Sequence, residues 1–177
     1  MESTLIILKP DAVQRCLIGE IFGRFERLEL EVTRLEMRHA TAEILTQHYP
    51  SDPEWLGSVG QKTLEDYERQ GMSALELLGS DDAVEIGTMV KTWLVEFMTS
   101  GPVVVAVLSG NRCVETVRKV IGATLPVLAA PGTVRGDFSS DSPDAANAER
   151  RPIKNLIHAS GDPEEAEREI ALWFPSA

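Results

Sequence analysis

Apolar positions change their period several times along this chain, and each change marks an element. Leu5-Ile6-Ile7-Leu8 is a continuous apolar run, which predicts a strand buried on both faces, ended by Lys9-Pro10-Asp11. Between residues 18 and 28, Ile18, Ile21, Phe22, Phe25 and Leu28 recur at helical spacing. From Val32 to Arg38 the pattern alternates, so Leu35 and Met37 are expected to face inward and Arg34, Glu36 and Arg38 outward. Thr41 is placed to cap a short helix that runs to about His48. Gly101-Pro102 introduces Val103 to Leu108, a second fully buried strand. Asn111 is expected to cap a helix with Val114, Val117 and Ile121 on one side, and Gly122 stops it. Ile153 to Ile157 reads as a short strand. Asp162-Pro163 then supplies a capping side chain and a proline at the first helical position, and Ala166, Ile170 and Trp173 form that helix's apolar stripe.

Strand, helix, strand, a variable region, strand, helix, strand, helix is the order of a split β-α-β, or ferredoxin-like, α+β fold. An antiparallel sheet with helices on one face is the expectation. In the variable region, Ser51-Asp52-Pro53 and Gly57 to Gly60 read as turns. Gln61 to Gln70 is polar and helical, and Ser73 to Leu78 is a short helix ending at Gly79. Asp81 or Asp82 then caps a longer helix, with Ile86, Met89, Val90, Trp93, Leu94 and Phe97 at helical spacing. This reads as a helical elaboration of one domain spanning residues 1–177, not as a second domain.

A chain of 177 residues is long enough for one proper core. Its formal charge of −11 argues against a nucleic-acid partner, because phosphate backbones need a basic face. It leaves room for a small anionic ligand held by a few gathered cations. No apolar run approaches bilayer length, so no membrane partner is expected, and Met1-Glu2-Ser3-Thr4 runs straight into a strand pattern without a signal peptide. Cys16 and Cys113, both in predicted helical regions, read as reduced thiols, and a cytoplasmic location is expected.

Of three histidines, His158 is the one placed for chemistry. It follows the short strand Ile153 to Ile157, precedes the last helix, and is followed by the small residues Ala159, Ser160 and Gly161. With an ordinary pKa near 6.5, much of it is neutral and nucleophilic at pH 7. Glu165 and Glu169, one helical turn apart, are the carboxylates in reach, and Glu165 reads as part of a solvated acidic face. His39 and His48 read as structural. Lys9, Arg118 and Arg135 sit at loop edges beside strand ends, where a guanidinium fork or an ammonium suits phosphate. Neither a P-loop, nor a Gly-x-Gly-x-x-Gly string, nor zinc spacing is present.

Seven blocks in order give the chain a family resemblance: Leu8-Lys9-Pro10-Asp11-Ala12-Val13-Gln14-Arg15, Gly19-Glu20-Ile21, Gln47-His48-Tyr49, Thr99-Ser100-Gly101-Pro102-Val103-Val104, Pro131-Gly132-Thr133-Val134-Arg135-Gly136-Asp137-Phe138, Asn155-Leu156-Ile157-His158-Ala159-Ser160 and Glu169-Ile170-Ala171-Leu172-Trp173-Phe174. On these blocks the chain resembles the nucleoside diphosphate kinases. The resemblance implies a ping-pong enzyme in which His158 carries the γ-phosphoryl of ATP or another nucleoside triphosphate to a nucleoside diphosphate. It implies that Lys9, Tyr49, Arg118, Thr124, Arg135 and Asn155 hold the phosphates and ribose, and that Ser160 and Glu169 orient the histidine. It also implies Mg²⁺ arriving on the nucleotide rather than a protein metal site, and a dimer-based homo-oligomer. The alternatives are a nucleotide-binding or scaffold relative of the same fold, and a ferredoxin-like regulatory module.

The chain departs from the family's pattern in four places. Gly161 stands where an Asp usually follows Ser160, and Leu125 follows Thr124 where Asn is common. About thirty extra residues lie within about 50–90, and some ten within about 139–148. The latter are rich in Ser, Asp and Ala and read as a surface loop. Val90, Trp93 and Leu94 are candidates to stack on the base, though each also fits a buried core position.

Overall fold

The computed structural model describes residues 1–175. Four strands pair antiparallel in the order β2-β3-β1-β4: β1 is Glu2–Leu8, β2 Glu31–His39, β3 Pro102–Gly110 and β4 Ile157–Ala159. This is the ferredoxin-like α+β sheet that the order of apolar periods predicts.

The two continuous apolar strands lie in the middle of the sheet, and alternation divides their side chains between two cores. Ile6 and Leu8 of β1, with Val104, Ala106 and Leu108 of β3, pack under α2 (Ile18–Glu26) and α7 (Cys113–Ile121). Leu5 and Ile7, with Val103, Val105 and Val107, pack under α3 (Ala42–His48), α6 (Ala83–Thr99) and α10 (Pro163–Trp173). The sheet expected to carry helices on one face therefore has its second face covered too. The both-face burial of β1 and β3 requires that cover.

Several boundaries move for identifiable reasons. Thr41, Asp82 and Asp162 cap their helices as expected, each side chain accepting a backbone N–H of the first turn. Asn111 does not cap α7. The N-cap is Arg112, left-handed at φ 47° and without a side-chain cap bond. The β4 strand starts at Ile157 rather than Ile153, because only Ile157, His158 and Ala159 find register partners on β1. His158 is thus inside the strand, not after it. In β2, a register shift between Val32 and Arg34 leaves Leu35 and Met37 opposite Ala106 and Val104, on the α2/α7 side. Among the described residues no helix reaches over that edge, so the two side chains expected inward are 56% and 59% exposed. Cys16 lies in the turn after α1 (Pro10–Gln14), and Cys113 opens α7.

The variable region forms α4 (Pro53–Arg69), α5 (Ala74–Leu78) and α6. The turn expected at Gly57 to Gly60 is instead interior to α4. There the glycines let helices touch: a Cβ on Gly60 would fall 1.7 Å from the Ala83 carbonyl oxygen, and one on Gly87 2.0 Å from that of Leu56. The backbones of α4 and α6 cross in direct contact at these two points. Within residues 139–148, the expected surface loop is a helix, α9 (Pro143–Ala148), capped by Ser142 with Pro143 at its first position. Asp141 pins it: Arg151 donates to both carboxylate oxygens at 2.6 and 3.0 Å, and the Lys154 N–H to one at 2.7 Å.

Candidate active site

Strand alternation puts His158 and Ser160 on one side, the side that α10 covers. Glu169 on α10 meets both. The His158 Nε2 lies 2.9 and 3.0 Å from the two carboxylate oxygens, and the Ser160 hydroxyl donates to Oε2 at 2.7 Å. Glu169 is 1% exposed and Ser160 fully buried, so the acceptor is fixed from behind. Burial raises the Glu169 pKa above the ordinary carboxylate value, opposed by His48, the Ser160 hydroxyl and Arg168. Burial, then the charges of Lys9, Arg135 and Arg118, hold His158 well below 6.5 against the pull of Glu165. The ring is therefore neutral at pH 7, more completely than its ordinary pKa implies. With Nε2–H given to Glu169, Nδ1 is the unprotonated nitrogen, and among the described residues it makes no hydrogen bond.

His48, read as structural, backs this pair. It is 3% exposed, and its ring stands edge-on to His158 with centroids 4.6 Å apart. Its Nδ1 accepts the Trp173 indole N–H at 3.3 Å and lies 3.2 Å from Glu169 Oε1. Burial, reinforced by His158, lowers the His48 pKa to about 3, so the close approach to Glu169 is not an ion pair. Glu165 is not simply solvated. Its carboxylate accepts the Gly161 N–H at 2.6 Å while the Glu165 N–H is capped by Asp162 at 2.8 Å. This reciprocal cap shapes the turn at Ser160-Gly161-Asp162.

Ahead of the strand, the chain makes a tight left-handed turn at Leu156, with φ 69° and an Ile157 N–H to Asn155 oxygen bond of 2.8 Å. Three groups hold that strained residue in place. The Asp11 carboxylate accepts the Leu156 N–H at 3.1 Å, and the Lys9 N–H donates to the Leu156 oxygen at 2.8 Å. Arg135, on α8 (Val134–Phe138), straddles the turn, donating to the Asn155 oxygen at 3.1 Å and the Ile157 oxygen at 2.6 Å. A third bond runs to the Gly122 oxygen at 3.0 Å. Burial, with Arg118 nearby, lowers the Arg135 pKa to about 10. The guanidinium is thus a clamp on the turn as well as a wall of the site. The turn delivers the Asn155 side chain to Lys9, whose ammonium donates to Oδ1 at 2.7 Å, while Nδ2 donates to the Thr124 oxygen at 2.9 Å. Burial, then Arg135, lowers the Lys9 pKa to about 8.

Two cavities meet at His158. One, about 450 Å³, has Lys9, Lys62, Arg118 and Arg135 in its wall, with Glu165 the one carboxylate there among the described residues. A chain of net charge −11 has gathered four cations in this place. The other, about 290 Å³, is mostly apolar: Tyr49, Val90, Trp93, Leu94, Leu125 and Ile153 line it, with Pro143 and Ala146 of α9. Lys9, Lys62, Thr124, Asn155 and His158 line both. All the residues anticipated from sequence are thus brought together: Arg118 and Arg135 on the cationic side, Tyr49 on the apolar side, Ser160 and Glu169 behind the histidine. Val90, Trp93 and Leu94 are half-buried and face the cavity rather than being enclosed in core. Lys62 and the α9 residues were not anticipated. Ser142-Pro143, the same cap-and-proline signature as Asp162-Pro163, was the signal for the latter.

A cationic hollow opening onto a neutral, carboxylate-oriented histidine is the layout of a phosphotransferase. Comparison with known proteins narrows that class. The family model for nucleoside diphosphate kinase matches residues 2–87 and 85–177. A nucleoside diphosphate kinase of Pyrobaculum aerophilum is 54% identical over 174 residues, covering 98% of this chain and 95% of the relative. One from Mycobacterium tuberculosis is 39% identical, covering 99% and 98%. Among solved structures, an NDP kinase from P. aerophilum superposes with a TM-score of 0.97 at 52% identity, covering 99% of this chain and 96% of that one. The Borrelia burgdorferi enzyme, a transition-state mimic with bound vanadate and ADP, has a TM-score of 0.76 at 34% identity, covering 99% and 88%. The chain belongs to the nucleoside diphosphate kinase family and is a phosphotransferase acting on nucleoside tri- and diphosphates. Among the described residues no helix is long and apolar enough to cross a membrane.

Proposed function

We propose that His158 Nδ1 is the nucleophile of a ping-pong transfer. It attacks the γ-phosphorus in line, the bond to the β,γ-bridging oxygen breaks, and the nucleoside diphosphate leaves with that electron pair. A phosphoryl group on Nδ1 remains until the terminal oxygen of an incoming nucleoside diphosphate takes it by the reverse step. The observation that carries this reading is the Glu169 contact at Nε2, which selects the tautomer with Nδ1 unprotonated and stabilises the charge the ring acquires. Lys9, Arg118 and Arg135 offset charge on the phosphates, Thr124 and Asn155 orient phosphates and ribose, and Tyr49 borders the sugar. Ser160 acts through Glu169.

Mg²⁺ is read as part of the nucleotide substrate. The cationic cavity offers the single carboxylate Glu165, already engaged by Gly161, which is no cage for a resident divalent ion. The base fits the apolar cavity, against Trp93, Leu94 and Leu125. The chain reads as one domain, 1–177, with elaborations at about 50–90 and 139–148 that roof this cavity. A dimer-based homo-oligomer is supported by the exposed Leu35 and Met37 on the β2 edge. A cytoplasmic setting is supported by Cys16 and Cys113, both free.

The test uses γ-labelled ATP and Mg²⁺ with wild type and His158→Ala. Wild type is expected to take an acid-labile, base-stable label that a nucleoside diphosphate removes as triphosphate. The variant is expected to take none and to lose about 10⁴-fold or more in kcat. A wild type that binds nucleotide without taking label overturns the reading in favour of a binding protein.

A further inference from the structure

Five residues line both cavities, and Lys62 is the one among them that comes from the helical elaboration. It sits on α4, in the elaboration. Val59, Lys62, Thr63 and Asp66 all face the apolar cavity and follow i, i+3, i+4, i+7 spacing, so one stripe of α4 is turned towards the site. Within that stripe only Lys62 also reaches the cationic cavity.

The carboxylates that would ordinarily occupy this lysine are engaged elsewhere. Glu65 accepts from Gln61 at 3.2 Å, and Asp66 pairs with Arg69 at 2.8 Å. Among the described residues Lys62 makes no ion pair and no hydrogen bond. Its helix is fixed against α6 by the crossing at Gly60 and Gly87, two positions where a Cβ would strike opposing backbone. A rigid helix thus holds an uncommitted ammonium at the junction that any ligand spanning both cavities must pass.

We infer that Lys62 is a nucleotide-binding residue of this enzyme: it contacts the phosphate chain where it passes from the base cavity to His158, supplying from α4 a cation on the side facing Arg118. This rests on the nucleotide occupying both cavities as described above. An ammonium on a flexible stem suits that place, because it follows the phosphates during transfer without demanding the fixed fork of an arginine.

The experiment measures binding of Mg·ADP and of adenosine to wild type, Lys62→Met, Lys62→Gln and Lys62→Arg, with the phosphoenzyme assay alongside. Lys62 is exposed, so the substitutions leave the core intact. Both neutral variants are expected to weaken Mg·ADP about tenfold, the range of one charge-assisted contact. Adenosine affinity should stay within about twofold, since a residue acting on phosphate leaves the nucleoside alone. Lys62→Arg should recover most of the loss, and the neutral variants should still label at saturating ATP. Unchanged Mg·ADP affinity in both neutral variants overturns the role of Lys62 while a labelled wild type leaves the kinase reading standing. Equal losses for ADP and adenosine overturn it as well, in favour of a purely structural lysine. Absence of label in wild type overturns the kinase reading and this role together.

Discussion

The floor and the roof of this site are built in different ways. The floor, at the ends of β1 and β4, consists of buried polar groups that satisfy one another: Lys9 with Asn155, Arg135 with three backbone carbonyls, Glu169 with His158 and Ser160. Each such group is costly to strand without its partner, so the arrangement is close to all-or-none. The roof, made by α4, α6 and α9, consists of helix faces, apolar contacts and exposed charges that tolerate change one at a time. Chemistry that needs a nitrogen aimed to within a fraction of an ångström belongs on the floor. Affinity and choice of ligand can be adjusted on the roof without disturbing it. Substitutions in the His158–Glu169–Ser160 part of the floor are therefore expected to act on kcat, and roof substitutions on KM.

The largest effect that would break this division is at Glu169. Glu169→Gln keeps the shape but removes the charge, and one of its two oxygens becomes a donor. It can accept through only one oxygen, so one of the two contacts to His158 Nε2 at 2.9 and 3.0 Å is lost, and it no longer opposes positive charge on the ring. A fall of about 10–100-fold in kcat with little change in KM is expected, as when a partner that orients a reacting histidine is lost. Steady-state kinetics over a range of ATP decides it. A rise in KM at unchanged kcat would mean that Glu169 only supports folding of the pocket.

A smaller effect sharpens the same division through pH. In the role proposed for it Lys9 meets phosphate as a cation, and its pKa is lowered to about 8. The protonated, binding-competent form is therefore lost as pH rises through about 8. In the free enzyme kcat/KM should fall there by about tenfold per unit. Because His158 is held well below 6.5, the acid side should be flat through pH 6 rather than showing a histidine inflection. A profile of kcat/KM with an inflection near 6.5 would place the nucleophile's protonation elsewhere than this geometry does.

The floor was largely legible in the sequence because its signals are short and local. A strand end followed by Lys9, an apolar run into His158 and small residues after it all fall within a few positions of each other. What could not be read locally was the partner problem. Glu165 reads as solvated, but its acceptor is needed by Gly161 four residues back, and Arg135 reads as a phosphate ligand alone, but the Leu156 turn takes two of its donors and the Gly122 oxygen a third. Leu35 and Met37 carry the right alternation for an inner face, yet where helices stop above a sheet is a tertiary fact. In the roof, glycine reads locally as punctuation but serves close packing. Gly57 and Gly60 suggested a turn, whereas Gly60 lies mid-helix and is small because α6 crosses there.

That crossing gives the smallest effect on turnover and the sharpest separation of roof from floor. In Gly87→Ala the new methyl would stand 2.0 Å from the Leu56 oxygen, and backbone cannot swing aside as a side chain does. The α4 and α6 helices must separate, which costs about 1–3 kcal/mol of stability, comparable to overpacking a core. The shift is transmitted to Trp93 and Leu94 on α6 and to the α4 stripe, so the apolar cavity changes shape. His158, Glu169 and Ser160 are tied to β4 and α10 and are not displaced. Nucleotide KM should rise about threefold to tenfold with kcat within about twofold, and the melting temperature should fall by a few degrees. Single-turnover labelling at saturating ATP should be unchanged. If kcat falls in proportion to the rise in KM, the helical roof is coupled to the histidine, and the division between the two regions fails.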